Sequence, residues 1–306
     1  MEHPLAAIDL GTNTARLLIG NISQEGRVTP LVYMRRITRL GGGFTRERGI
    51  SAEARERTAA ALCEFAAEME RHGVARTRAV ATSAVRDAAN REEFCARMRR
   101  ETNIDLEVID GETEGILTLR GVLAEIDDRD ADFLVFDVGG GSTEYTLARG
   151  ERVLFTESLP LGVVRLTEGK RDFRAMEEKI LRELLPIRDR IAAKGLLHLL
   201  DNAVLVGTAG TATTLAAISQ RLQVYDYRLV NNYVIGIEEI RDIFTTLLPM
   251  TAAERLAVPG LEKGREDLII AGSLIIIKTM ETFGFARLKV SDFGLLEGVL
   301  LSVSRR

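Results

Sequence analysis

The chain has 306 residues, 46% of them hydrophobic and 28% charged, with a net charge of −4. That length fits two domains, and the balance suits a soluble globular protein and not a general nucleic-acid coat. Two cysteines without a CxxC, and three widely spaced histidines (His3, His72, His198), argue against a disulfide framework and against a zinc site.

In chain order, residues 5–38 read as three strands, with turns at 10–14 and 22–27. Ser51 caps a helix over 53–72, whose Ala59, Leu62, Phe65, Ala66 and Met69 fall at helical spacing. A strand at 77–82, a helix at 90–101, a strand at 106–109 and a helix at 112–126 follow. The acidic stretch 127–130 reads as a surface connection and a domain boundary. The strand set then begins again at 132–137, 143–149 and 152–158, and a long amphipathic helix covers 175–194. A strand at 204–206 runs through Gly207 to Gly210 into a helix ending at Ser219. Residues 221–236 read as irregular or extended, 238–248 and 264–283 as helices, 288–291 as a strand and 295–303 as the last helix. Both halves share one order: three strands, helix, strand, helix. The most apolar stretch, 268–277, is ten residues and too short to span a bilayer, and no leader pattern precedes residue 5. A cytoplasmic protein without a membrane partner is expected.

One short phrase occurs twice, about 130 residues apart. Ala7-Ile-Asp-Leu-Gly-Thr-Asn-Thr14 and Phe136-Asp-Val-Gly-Gly-Gly-Ser-Thr-Glu144 each end an apolar strand on an aspartate. Each then turns through glycine into hydroxyl residues and resumes a strand. Glycine lets a ligand approach the main chain, and consecutive N–H groups in such a turn form an anion-binding concavity. Gly11, Thr12, Asn13 and Thr14 in the first copy, and Gly139, Gly140, Gly141, Ser142 and Thr143 in the second, therefore read as a phosphate cradle. Asp9 and Asp137 would repel phosphate. They make sense as holders of Mg²⁺ or another divalent cation, which is bound by one or two carboxylates plus substrate phosphates.

The chain resembles the exopolyphosphatase / guanosine pentaphosphate phosphohydrolase (Ppx/GppA) family, within the actin-like ATPase and sugar-kinase superfamily. Besides the two turns, the resemblance rests on Arg39-Leu-Gly41, Ala81-Thr-Ser-Ala-Val-Arg-Asp-Ala-Ala-Asn90 and Gly111-Glu-Thr-Glu114 before Gly121-Val122. It continues through Leu161-Gly-Val-Val-Arg-Leu166, Gly207-Thr-Ala-Gly-Thr211, Pro259-Gly260 and Val290-Ser-Asp-Phe-Gly-Leu-Leu-Glu-Gly298. It implies an α/β fold of two actin-like (ribonuclease H-like) domains with mixed sheets flanked by helices and a cleft between them. The domains would be 1–126 plus the final helix at 293–306, and 127–292, a short form of the family.

The resemblance also implies roles. Glu114 matches the family glutamate that activates water, and Glu144 a second acid near the scissile phosphate or its metal. Arg86 matches a family arginine whose guanidinium suits phosphate oxygens. Gly207 and Gly210 lie where nucleotide-using relatives place phosphate and adenosine. Arg39, Arg165 and Arg265 are weaker phosphate candidates, and the Arg35-Arg36 pair reads as a solvated edge. Gly115 and Ile116 depart from the family's Glu-Glu-Ala-Arg, and Leu296 replaces a common arginine. The implied activity is release of terminal phosphate from inorganic polyphosphate. The alternatives are hydrolysis of guanosine pentaphosphate, phosphotransfer from ATP, and a non-catalytic phosphate or nucleotide sensor. No nucleic-acid partner is expected, and a homodimer stays open.

Overall fold

The computed structural model describes residues 3–304 apart from 24, 44–46, 170 and 171. Residues 305 and 306, at the end of the predicted first domain, thus lie outside the described residues.

The chain divides into two compact units, residues 1–124 with 294–306, and Glu125–Phe293. The first contains β1 (Leu5–Leu10), β2 (Thr14–Ile22), β3 (Val28–Ile37), α1 (Ala52–Arg71), β4 (Arg76–Ala81), α2 (Ser83–Arg86), α3 (Arg91–Thr102), β5 (Leu106–Val108) and α4 (Gly111–Glu125). The second runs through β6 (Asp132–Val138), β7 (Thr143–Arg149), β8 (Arg152–Leu159), α5 (Val163–Gly169), α6 (Phe173–Ala193), α7 (Leu197–Leu200), β9 (Val204–Thr208) and α8 (Ala209–Ser219). It continues with α9 (Tyr227–Val230), β10 (Val234–Gly236), α10 (Ile237–Leu247), α11 (Ala252–Arg255), α12 (Ile269–Phe283) and β11 (Arg287–Val290). Helix α13 (Leu295–Val303) returns to the first unit.

Each unit is built on one mixed sheet. The first has the order β3-β2-β1-β4-β5, and the second β10-β11-β9-β6-β7-β8. In the first, β1 pairs antiparallel with β2 and parallel with β4; in the second, β6 pairs antiparallel with β7 and parallel with β9. The second order, read backwards from β8, repeats the first and adds β10 at the far edge. This is the ribonuclease H-like, actin-like arrangement.

Alternation on the strands fixes the cores. In the first unit Ala6, Ile8, Leu10, Leu17 and Ile19 face Leu62 and Phe65 of α1 and Phe94 and Met98 of α3. The opposite face of β1, β2 and β4 is covered by α13. In the second unit Leu134, Phe136, Tyr145 and Leu147 meet α6, α8 and α12 through Ile180, Leu184, Leu215 and Ile276. Ser51 caps α1 as its sequence implies, accepting from the Ala54 N–H at 3.2 Å.

Three details differ from the sequence reading. Helix α12 starts at Ile269 and not at 264, because Gly264 has φ +87° and residues 262–268 form successive turns. The segment 221–236 is not wholly irregular: Asp226 caps the short helix α9, and β10 adds an edge to the sheet. The short helices α2, α5, α7 and α11 are too brief to show periodicity.

Helices α4 and α13 meet backbone to backbone. A Cβ on Gly298 would lie 1.8 Å from the Leu117 carbonyl oxygen, and one on Gly121 would lie 1.8 Å from that of Gly294. Alanine at an ordinary helix position gains about 1 kcal/mol over glycine. Here overpacking, at roughly 3 kcal/mol, outweighs that gain. Gly298→Ala is therefore expected to lower the urea midpoint of unfolding, and a raised midpoint would refute the contact.

Candidate active site

Both glycine turns are held by the same device. In the first, the Gly11 N–H donates to Thr14 O at 2.9 Å and closes the hairpin. The stretch after β3 then binds the turn's carbonyls. Thr38 and Arg39 N–H groups donate to Asn13 O at 3.1 and 2.9 Å, and Gly41 N–H donates to Thr12 O at 2.8 Å. A Cβ on Gly41 would sit 2.3 Å from Thr12 Cγ2, so a larger residue there would displace the Thr12 side chain. In the second turn, Gly139 N–H donates to Ser142 O at 3.0 Å. The start of α5 supplies the binding groups: Val163 N–H to Gly139 O at 3.0 Å, and Val164 and Arg165 N–H to Gly140 O at 2.9 and 3.2 Å. Thr143 Oγ1 adds a bond to Leu161 O at 2.5 Å, and a Cβ on Gly162 would lie 2.4 Å from the Gly140 carbonyl.

These bonds orient the N–H groups. A trans peptide points its C=O and N–H to opposite sides. With the carbonyls of Gly139 and Gly140 turned to α5, the N–H groups of Gly140 and Gly141 point away from it. The same reasoning aims the Asn13 N–H away from residues 38–41. Each turn is thus a small array of fixed donors, the geometry that receives phosphate oxygens.

The strands beside the two turns differ in charge. Across the first sheet the register aligns Asp9, Arg16 and Arg35; across the second it aligns Asp137, Glu144 and Ser158. Arg16 donates to Asp9 Oδ2 through Nε at 2.9 Å and Nη2 at 2.5 Å. Burial alone would pull the Arg16 guanidinium down, but Asp9, with Tyr33 and Glu297, holds it above its ordinary value. Asp9 Oδ1 remains buried and accepts no hydrogen bond among the described residues. In the second unit Asp137 and Glu144 are both buried, and Glu144 Oε1 accepts from Ser158 Oγ at 2.7 Å. Two acids opposite one another on one face, both hard oxygen donors, fit a small divalent cation. Among the described residues no three or more His, Cys, Asp or Glu side chains gather as a cage. A pair of carboxylates completed by phosphate and water needs none.

Glu114 lies in the first turn of α4. Asp110 caps that helix, accepting from the Thr113 N–H at 2.8 Å. This hydrogen bond, with Arg86 nearby, holds the Asp110 carboxyl below the usual range. Glu114 is only 6% exposed, whereas Glu112 faces solvent. A carboxylate so deep requires compensation. Arg86, at the end of α2, supplies it: Nη1 donates to Glu114 Oε2 at 2.9 Å and to Ile109 O at 3.0 Å. Arg86, read from the sequence as a phosphate ligand, is thus the group that holds the candidate base.

The β9–α8 junction is different. Gly207 sits in the strand, where a Cβ would meet Leu288, Phe136 and Ala212 at 3.0–3.3 Å, so packing explains it. Gly210 makes room for the Arg265 guanidinium, which lies within 1.9 Å of where a Cβ would be, at the start of α8. Leu296 is fully buried in α13.

Sequence reasoning missed Arg16 and Ser158, and it singled out residues 39–41 and 161–166 without seeing that they hold the turns. The first two were within reach: a tight hairpin closed by Gly11 and Thr14 places Arg16 opposite Asp9 by counting alone.

Residues 19–306 match the family of Ppx/GppA phosphatases. The chain is 34% identical to Exopolyphosphatase 2 of Mycobacterium tuberculosis, over 98% of each chain. Among solved structures, an exopolyphosphatase from Cytophaga hutchinsonii superposes with a TM-score of 0.88 at 28% identity, covering 98% of this chain and 97% of that one. The Ppx/GppA family member of Aquifex aeolicus superposes with a TM-score of 0.79 at 33% identity, with 98% and 97% covered.

Proposed function

The chain belongs to the Ppx/GppA phosphatase family, and we infer that it releases the terminal phosphate of inorganic polyphosphate in the cytoplasm. The observation that carries this reading is the buried Glu114 carboxylate fixed by Arg86 at the head of α4.

Phosphoanhydride hydrolysis passes through a loose transition state and asks the protein mainly for position and charge. In the first unit the Asn13 N–H with the hydroxyls of Thr12 and Thr14, and in the second the Gly140 and Gly141 N–H groups with that of Ser142, would each bind phosphate oxygens; the Thr143 hydroxyl is instead committed to Leu161 O. Glu114 orients a water and takes its proton as the new P–O bond forms. The bridging P–O bond breaks, and the electron pair leaves with the shortened chain. Arg86 holds the Glu114 carboxylate in place through its hydrogen bond. Asp137 and Glu144, paired across the second sheet, would hold Mg²⁺. When bound, the cation offsets charge on the phosphate oxygens.

A phosphate-release screen tests the reading, with Mg²⁺ and with polyphosphates of several lengths, guanosine pentaphosphate and ATP as substrates. Polyphosphate is expected to give the highest kcat/KM. Preference for guanosine pentaphosphate would move the chain to the other activity of the family. Release from none of the three would overturn hydrolysis.

A further inference from the structure

Residues 38–41, which hold the first glycine turn, are themselves held from α1. Arg57 lies near the start of that helix, which Ser51 caps. Ala54, Thr58 and Ala59 bury the helix there, and Arg57 stands on its exposed side. Its guanidinium spans two successive carbonyls. Nε donates to Thr38 O at 2.9 Å and Nη2 to Arg39 O at 3.4 Å. Other arginines of α1 reach carboxylates, Arg55 that of Glu93 and Arg71 that of Glu68.

The effect falls on one peptide. Arg57 Nε binds the oxygen of the peptide that joins Thr38 to Arg39, and the N–H of that same peptide donates to Asn13 O at 2.9 Å. A trans peptide turns its C=O and N–H to opposite sides, so the two bonds fix its rotation from both ends. A cation on the carbonyl also polarises the peptide and strengthens its N–H as a donor. Arg39 has φ +45°, a left-handed backbone that is uncommon outside glycine and persists where the surroundings fix it. Its oxygen takes the second bond from Arg57 and a further one from Gly42 N–H at 3.0 Å. Gly41 N–H then meets Thr12 O at 2.8 Å, the bond that aims the Asn13 N–H.

We propose that Arg57 is a positioning residue for phosphate binding at the first turn. It acts through the carbonyls of Thr38 and Arg39 and not by contact with substrate. The proposal rests on the reading of that turn as a phosphate cradle. The rival role is simpler: an exposed arginine draws in a polyanion by its charge. Lysine separates the two. It keeps the charge, but an ammonium group lacks the planar fork that spans both carbonyls.

Arg57→Ala and Arg57→Lys test this in the full-length chain. The measurements are amide hydrogen exchange without substrate and phosphate release from polyphosphate with Mg²⁺, with urea unfolding as the check on folding. In Arg57→Ala the N–H groups of Thr38, Arg39 and Gly41 are expected to exchange about tenfold faster, while those of β1 keep wild-type rates, because bonds to a charged group are the stronger ones and opening is local. KM for polyphosphate should rise about tenfold with kcat nearly unchanged, the mark of binding lost equally from ground and transition states. Arg57→Lys should lie nearer Arg57→Ala than the wild type in both measurements. Wild-type exchange at residues 38–41 in Arg57→Ala, an unchanged KM in that variant, or a wild-type KM in Arg57→Lys would each overturn the proposal. A wild type that releases no phosphate from polyphosphate would instead overturn the reading of function, and the exchange rates would still decide whether Arg57 holds the segment.

Discussion

Glu114→Gln is expected to lower kcat by about 10²–10⁴-fold, the usual worth of a positioned general base. Glutamine keeps the size of the side chain and can still accept from Arg86, so the fold should survive. Substrate binding should be unchanged or tighter, because a negative charge beside an anionic substrate has gone. Glu112→Gln is the control. Glu112 lies two residues earlier on α4 and faces solvent, while Glu114 is buried. A general need for acidity at this helix start would make both variants slow; a specific base makes only one. Phosphate release by Glu114→Gln at near-wild-type rate would remove Glu114 from the mechanism.

The second large effect concerns the acid pair of the second sheet. Asp137→Asn is expected to reduce activity by about 10³-fold or more, since charge stabilisation by a bound cation is worth several kcal/mol. The readout that does not depend on turnover is thermal. A ligand that binds the folded state alone raises its stability, so Mg²⁺ should raise the melting temperature of the wild type and leave that of Asp137→Asn unmoved. Asp9→Asn should behave differently. Its carboxylate already neutralises Arg16, so the substitution should chiefly destabilise the first unit and retain a thermal response to Mg²⁺. An equal Mg²⁺ response in wild type and Asp137→Asn would show that Asp137 has a structural role. Full activity after chelation with EDTA would show the same for both acids.

The strands and long helices were legible because each carries a strong period or a clear stop: Ser51 before α1, the aspartate–glycine turns after β1 and β6. The repeated sheet order was legible for the same reason. Helices of about one turn, such as α2 and α7, are too short for a 3.6-residue period to register. In the site, residue types were readable and partners were not. Arg86 and Glu114 are 28 residues apart in sequence, and nothing local announces that one holds the other. Gly298 looks like a poor helix residue until the Leu117 carbonyl is seen against it. The opposite charges at Arg16 and Glu144 were visible as letters. Their equivalence shows only once the two hairpins are set in register.

The bonds that hold the two glycine turns bear on which surface segments can change length. Connections between elements ordinarily accept insertions, since their entropic cost grows slowly with length. Residues 38–41 and 160–165 do not have that freedom. The N–H groups of Thr38, Arg39 and Gly41 in the first, and of Val163, Val164 and Arg165 in the second, each donate to a turn carbonyl, and a Cβ on Gly41 or Gly162 would lie 2.3 or 2.4 Å from atoms of its turn. One added residue would move every donor off its acceptor and drive a side chain into the turn. Drift in length is therefore confined to stretches such as 22–27, and these two connections are counted as strictly as the strands they follow.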